Sequence, residues 1–392
     1  MIGASVGIVK TKSLTFAQPP ERLALESGAS LGPITLAYET YGKLNEERSN
    51  AILVFHALSG DAHVAGYHRR DDQKPGWWDI AVGPGKAFDT SRYFVICANV
   101  IGGCRGSTGP SSIDPETKTP YGSRFPLITV KDMVDAQVRL LDHLSIRQLL
   151  AAVGGSMGGF QALQFAVSYP DRCKLVVPIA TAGRQSAQNI AFNEIGRQAI
   201  IADPRWRNGD YYDSEPPVDG LSIARMVGHV TYLSDENLKR KFGRRTKDGP
   251  CANGGVSFAQ PHFEVESYLR HKGNAFTKRF DANSYLYITR AIDLFDLAPD
   301  CDSLEPAFRG CRSRFLVLSF SSDWLYPPYQ SEELVEAIRA NGLAVQYHKI
   351  ESTYGHDAFL IEADKIEDTI SKFLLFEGKK RYYEVDQEYP YS

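Results

Sequence analysis

Cysteine is scarce in this chain: six residues, at 97, 104, 173, 251, 301 and 311, with no Cys-x-x-Cys pair among them. Such scatter, partly inside apolar strand-like runs, excludes a disulfide framework or a zinc ribbon and reads as reduced, mostly buried thiols of a cytoplasmic protein with no bound metal. No apolar run approaches the roughly 18 residues that cross a bilayer. Charge of neither sign dominates, since 44 Lys and Arg against 47 Asp and Glu leave a net of −3. That balance gives no electrostatic footprint for a nucleic acid or a membrane surface. The first nine residues are mildly apolar, but Lys10 and Lys12 follow that stretch rather than precede it. With no small-residue cleavage pattern behind them, they do not read as a secretory signal. Internal repeats and low-complexity segments are also missing. What is present is a 392-residue chain, 43% hydrophobic and 23% charged, with ample apolar content for one large core carrying an insertion, or for two domains.

The most informative stretch is Val153-Gly154-Gly155-Ser156-Met157-Gly158-Gly159. Before it lies an apolar run of strand length, 149–153. After it Phe160, Leu163, Phe165 and Ala166 recur at helical spacing until Tyr169-Pro170 stops the pattern. A serine between strand and helix, flanked by glycines, is the nucleophile elbow of an α/β-hydrolase fold. A hydroxyl is a weak nucleophile, so it must be held on a sharp turn with its oxygen aimed at a base. The residues two before and two after the serine pack on each other there, and glycine leaves the room. The pattern alone also describes a Gly-rich turn without chemistry; the flanks favour the elbow.

Strand-like runs at 34–41, 51–55, 93–98, 149–153 and 175–179 alternate with helical ones, which predicts a mostly parallel sheet with helices on both faces. From about 185 to 307 the chain is polar, aromatic and helical in period, including 222–234 and 263–272. Strand-like runs return at 314–320 and 345–350, followed by an apolar-periodic helix over 361–375. The expected organisation is a core of 1–184 and 308–378, a helical lid over 185–307 and a surface tail over 379–392. An independent second domain is the alternative, although the late strands need the early sheet to bury them.

In this fold the acid follows a later strand and the histidine comes after it. Asp323 stands three residues beyond the strand run ending at Phe320, and His356 lies in the loop after the last strand. His348, the other histidine in this part, falls within that strand and reads as a surface imidazole. Asp323 alone could as well cap a helix; Ser156, Asp323 and His356 in order, each at a strand end, form a triad. The oxyanion donors are expected to be the backbone N–H groups of Met157 and, in the loop His56-Ala57-Leu58-Ser59-Gly60, of Leu58.

Several longer stretches carry a resemblance. They are His56-Ala57-Leu58-Ser59-Gly60, Lys74-Pro75-Gly76-Trp77-Trp78, Gly102-Gly103-Cys104-Arg105-Gly106-Ser107-Thr108-Gly109-Pro110, Tyr121-Gly122-Ser123-Arg124-Phe125-Pro126, the elbow itself, Ser186-Ala187-Gln188-Asn189-Ile190-Ala191-Phe192-Asn193-Glu194 and Phe280-Asp281-Ala282-Asn283-Ser284-Tyr285-Leu286. Together, over roughly residues 15–375, they resemble the homoserine O-acetyltransferase family of the α/β-hydrolase fold. The resemblance implies a ping-pong enzyme with no bound cofactor. In it acetyl-CoA, as co-substrate, acylates the serine, and homoserine then takes the acetyl group on its way to methionine.

By the same resemblance Arg225 holds the acceptor's carboxylate, Tyr232 lines the site and Asp357 meets the acceptor's ammonium group. Arg225 and Tyr232 are seven residues apart and so share a helical face; without the resemblance Arg225 reads equally as a solvated arginine. Leu325, where succinyl-using relatives tend to carry arginine, and Arg184-Gln185 favour an acetyl donor, while Arg105 and Arg124 leave an acidic donor open. The basic run 239–245 reads as a solvated helix end rather than a CoA contact. Homoserine O-succinyltransferase, serine O-acyltransferase and a serine esterase or thioesterase remain alternatives. Tyr211, Tyr212, Phe263, Tyr268, Phe276, Tyr285 and Tyr287 form a surplus of aromatics that predicts a homodimer joined through the lid.

Overall fold

The computed structural model describes residues 5–247 and 259–375; Cys251 and the predicted tail lie outside them. Eight strands form one sheet: β1 (Lys12–Phe16), β2 (Ile34–Tyr41), β3 (Ala51–Phe55), β4 (Phe94–Ala98), β5 (Leu149–Gly155), β6 (Cys173–Ile179), β7 (Arg314–Phe320) and β8 (Val345–Ile350). Their spatial order is β1-β2-β4-β3-β5-β6-β7-β8. β2 pairs antiparallel with both its neighbours, and every other neighbouring pair is parallel.

Parallel neighbours need crossovers, which cover both faces, so the central strands are apolar throughout rather than alternating. All five residues of β3 are buried: Ala51, Leu53 and Phe55 belong to the core on one face, Ile52 and Val54 to the core on the other. The first core is roofed by α1 (Val130–His143), α2 (Met157–Ser168) and, beyond β7, α8 (Pro328–Ala340). α1 begins with a capping box in which Thr129 accepts from the Asp132 N–H and the Asp132 carboxylate takes the Thr129 N–H at 2.8 Å. Between β6 and β7 the described residues form α3 (Ala187–Ile201), α4 (Val218–Tyr232), α5 (Asp235–Lys241), α6 (Glu264–Thr277) and α7 (Ala282–Asp293). No strand of the main sheet falls among them in the described residues.

Three points differ from the sequence reading. The C-terminal helix expected over 361–375 is α10 (Ala363–Leu375), preceded by a separate short helix, α9 (Ala358–Ile361), with Glu362 between them at φ −103° and ψ 51°. Glutamate is a good helix former, so periodicity could not show this break. It lets α9 seat Phe359 in the core while α10 lays Ile366, Ile370, Phe373 and Leu374 along the sheet. β1 went unread because its residues are mostly exposed at the sheet edge and carry little apolar signal. The aromatic surplus is also not one: Tyr211, Phe276 and Tyr285 are buried and the other four rings half-buried within the single chain.

One polar group ties the sheet edge to the loop after β3. The fully buried Glu39 carboxylate meets His63 Nδ1 at 2.9 Å and His68 Nε2 at 2.7 Å, and accepts from the hydroxyls of Tyr41 at 2.6 Å and Thr11 at 2.7 Å. Burial opposes its ionisation, but these bonds outweigh burial and bring it from 4.5 down to about 2. A depressed carboxyl contributes stability above its unfolded value that is lost as pH falls through the folded one. Glu39→Gln is expected to cost about 2–4 kcal/mol at neutral pH. Urea unfolding should show the gap to the wild type closing as pH drops from about 4.5 towards 2.

Candidate active site

The elbow is a contact between two backbones. A Cβ on Gly154 would lie 2.2 Å from the Gly158 carbonyl oxygen, and one on Gly158 would lie 2.1 Å from the carbonyl oxygen of Phe55 at the end of β3. Only glycine permits the β5 end, the α2 start and the β3 end to converge this closely. Ser156 between them is held at φ 59°, ψ −126°, outside the usual region for a residue with a side chain. Its N–H donates to Ile179 O at 2.9 Å and its carbonyl accepts from Thr181 Oγ1 at 2.9 Å, so β6 holds the strained residue from behind.

Asp323 and His356 are joined as the chain order predicts. His356 Nδ1 lies 2.8 Å from Asp323 Oδ2, while Asp323 Oδ1 accepts the N–H groups of Leu325 and Tyr326 at 3.0 and 2.9 Å. The carboxylate is therefore fixed on both oxygens, and Nε2 is the ring atom left to face a reactant. Burial disfavours the imidazolium, but the charge and hydrogen bond of Asp323, with the charge of Asp357 behind them, hold His356 above its ordinary value. Tyr232 and Tyr326, whose rings lie 6.1 and 5.2 Å from that of His356, also line the cavity into which Ser156 opens. The serine hydroxyl makes no hydrogen bond to the ring in this structure. Such bonds commonly tighten only with a substrate in place.

Neither the Met157 nor the Leu58 N–H donates to a protein acceptor among the described residues. Met157 opens α2, where the first N–H groups lack partners and the helix dipole favours negative charge. The Leu58 loop is set by His56, which sequence reasoning passed over. Burial holds His56 below its ordinary value, so its ring is neutral: Nδ1 donates to Ala57 O at 2.8 Å and Nε2 accepts the Val100 N–H at 3.1 Å. Gln161, one turn into α2, donates to His56 O at 3.3 Å and joins the two halves of the donor pair.

Arg225 reaches across from α4 to the same loop, donating to Ser59 Oγ at 3.3 Å. Its guanidinium lies 4.6 Å from the Phe276 ring centre and 5.4 Å from that of Tyr232, the residue expected on its face. It has no carboxylate partner within 4.0 Å among the described residues. Asp357, next to His356, is held above its ordinary value chiefly by burial, although the charges of His356 and Arg225 work against that shift. A cation without a counter-ion and a carboxylate thus face one region beside the serine cavity.

Other motifs have structural work. Trp78 is buried and donates to Phe359 O at 3.0 Å, and Phe359 sits where a Cβ on Gly155 would be, 2.5 Å away, with its ring 5.7 Å from that of His356. Asn283 donates to Gly209 O and accepts from Trp206, closing the helical segment on itself. Asn189 donates to Leu325 O at 2.9 Å and, with Leu325, lines the serine cavity. Its motif was legible but its contact was not. Arg124 is spent on Thr119 and Pro120 O, and in the basic run Arg245 pairs with Glu264. One group has metal-ligand spacing among the described residues, Glu39, His63 and His68. Its carboxylate oxygens also accept from the hydroxyls of Tyr41 and Thr11.

A strained serine at a strand-to-helix elbow and an Asp-His pair at the ends of later strands, on a mostly parallel eight-stranded sheet, mark a protein of the α/β-hydrolase fold. A family model described as alpha/beta hydrolase fold matches residues 50–363. The homoserine O-acetyltransferase of Solidesulfovibrio magneticus is 55% identical over 374 residues, covering 95% of this chain and 94% of its own. That of Methanohalobium evestigatum is 57% identical over 370 residues, covering 94% of this chain and 74% of its own. The crystal structure of the Bacillus anthracis homoserine O-acetyltransferase superposes with a TM-score of 0.87 at 30% identity, over 94% of this chain and 98% of that one. Esterase E22 follows at 0.85 and 28%, over 94% and 100%. The chain belongs to the homoserine O-acetyltransferase family, a family of acyltransferases. No helix among the described residues is long and apolar enough to cross a membrane.

An imidazole held above its ordinary value stays protonated, and so unable to accept the serine proton, to a higher pH. The burst of nitrophenol from p-nitrophenyl acetate is expected to fall on the acid side with a midpoint above about 6.5. Asp357→Asn removes one of the charges that raise His356, so the midpoint should move down. An unmoved midpoint would assign the titration to another group.

Proposed function

We propose that this enzyme transfers an acetyl group from acetyl-CoA to the side-chain hydroxyl of homoserine through an acyl-Ser156 intermediate, in ping-pong order, and that the product serves methionine synthesis in the cytoplasm. The observation that carries the reading is Arg225. Its guanidinium, held by two rings and a serine hydroxyl without a counter-ion, suits a small acid's carboxylate bidentately, and Asp357 offers a partner for an ammonium group. Plain ester hydrolysis uses neither.

In the first half-reaction Ser156 Oγ attacks the thioester carbonyl while His356 Nε2 takes its proton. The Leu58 and Met157 N–H groups receive the oxyanion. On collapse the C–S bond breaks, and the imidazolium returns the proton to the departing thiolate. In the second half the homoserine hydroxyl gives its proton to His356 and attacks the acyl carbon, and Ser156 leaves reprotonated. Transfer outruns hydrolysis when the acceptor is held and water excluded. The helices over the cavity supply that enclosure. Leu325 on the cavity wall supports acetyl over succinyl, whose extra carboxylate would lack a partner there. The five described cysteines are free thiols, in keeping with a reducing compartment.

Incubation with acetyl-CoA alone should add one acetyl mass to the peptide bearing Ser156, and Ser156→Ala should abolish both the adduct and CoA release. Arg225→Lys keeps the charge but loses the fork, costing about 1.5–3 kcal/mol of acceptor interaction while barely changing acylation. Intersecting double-reciprocal lines without an adduct would end the ping-pong reading. Equal loss of both half-reactions would make Arg225 structural.

A second copy of the chain is the proposed partner, through the helical segment. The support is no longer the aromatic surplus but Ile223 and Val230, one α4 face apart by two turns, and Ile195 on α3, exposed by 48%, 38% and 54%. Light scattering at micromolar concentration is expected to give a dimer mass, reduced by Ile223→Lys. A wild-type monomer would rule it out.

A further inference from the structure

A second concavity, a cleft of about 300 Å³, opens beside the serine cavity between the loop after β4, the start of α4 and the turn between α6 and α7. Its wall is mixed: Pro216, Pro217 and Leu221 give an apolar side, and Arg105, Lys278 and Arg279 a cationic one. The lining carboxylate, Asp281, is consumed internally, accepting from the hydroxyls of Tyr211 at 2.6 Å and Tyr212 at 3.1 Å and from the Ser284 N–H at 2.8 Å. Arg105 has Asp61 at 3.5 Å, whereas among the described residues neither Lys278 nor Arg279 has a carboxylate within 4.0 Å. In a chain whose net charge is −3, that local excess is not part of a general basic surface.

Arg279 is also placed rather than loose. It donates to Ser59 O at 2.9 Å and its guanidinium lies 5.2 Å from the Phe276 ring centre, opposite in role to Arg225, which uses the Ser59 hydroxyl and the same ring. Surrounding protein, then the charges of Arg225 and Arg105, push Arg279 below its ordinary value. Three guanidiniums thus converge on one loop whose next residue, Leu58, lines the serine cavity. One of them, Arg225, faces the acceptor region; the others border the cleft.

We propose that this cleft is the donor's phosphate subsite: Arg279 and Lys278, with Arg105 at the rim, bind the phosphate groups of the acyl-CoA, and the thioester arm passes the Ser59 wall to Ser156. The proposal rests on the acyl-CoA reading above and adds the residues that recognise the donor. Guanidinium forks onto phosphate oxygens, and the apolar side accepts the less polar parts of the nucleotide and arm. Arg225 is thereby left to the acceptor, which keeps the two anions from competing for one cation.

The test compares acetyl-CoA with S-acetylpantetheine, which presents the same thioester without phosphates, in the wild type, Lys278→Gln, Arg279→Gln and Arg279→Lys. The wild type should favour acetyl-CoA in kcat/KM. Each Gln variant should lower that preference roughly ten-fold, mainly through KM for acetyl-CoA, and Arg279→Lys should keep most of it. Loss of a structural contact at Ser59 would depress both donors alike and leave the ratio unchanged, and Lys278 makes no such contact. An unchanged ratio in both Gln variants, or a wild type without preference, overturns the subsite. A wild type that releases nitrophenol from p-nitrophenyl acetate but accepts acetyl from neither thioester overturns the acyl-CoA reading, and the subsite with it.

Discussion

The approach of Gly154, Gly158 and the carbonyl of Phe55 to within what should be side-chain distance governs the rest of the site. Three chain segments meet there because none carries a Cβ into the gap, and the turn they enclose forces Ser156 to a positive φ. Strain of this kind costs on the order of 1–3 kcal/mol and persists only where surrounding structure over-determines it. Here the bonds to Ile179 and Thr181 do so. The same contact brings the loop after β3 against the start of α2. A larger residue at 154 or 158 would push Ser156 and that loop apart.

His356, in the loop after β8, is fixed independently of the elbow. Asp323 has both carboxylate oxygens occupied, and His356 is boxed by Tyr326, Tyr232 and Phe359, the last anchored through Trp78. The loop carrying His356 is also fastened to the helices over the cavity. A Cβ on Gly355 would lie 2.5 Å from Ser234 N, and Trp324 donates to Leu233 O at 3.0 Å. Any shift of that helical segment would therefore be felt at the imidazole, so α4 and the loop carrying His356 form one mechanical unit.

Esterase E22 shares the fold to a TM-score of 0.85, so the elbow and the sheet do not separate hydrolysis from transfer. The difference must lie in the walls. In this chain the walls are electrostatically uneven: Arg225 and Arg279, with no carboxylate within 4.0 Å among the described residues, gather around Ser59, while Arg105 beside them pairs with Asp61 at 3.5 Å. Cations placed without protein partners carry a solvation penalty until an anion arrives, which favours charged substrates over neutral esters.

The elbow, the order of Ser156, Asp323 and His356, and most strands were legible in the sequence, because apolar runs of strand length and glycine at a forced turn are short-range properties that a single segment records. The shared face of Arg225 and Tyr232 was legible for the same reason. The family motifs were readable as strings, but their work was not: Trp78 under Phe359, Asn283 on Gly209 and Asn189 on Leu325 join residues far apart in the chain. Burial of the lid aromatics, the break at Glu362 and the setting of His56 were likewise decided only by packing. So was the lack, among the described residues, of a carboxylate within 4.0 Å of Arg225, Lys278 and Arg279. Amino-acid order determined which groups exist and which local turns they can form; the tertiary structure alone decided which charges find partners, since pairing depends on distances that the chain closes only when it folds.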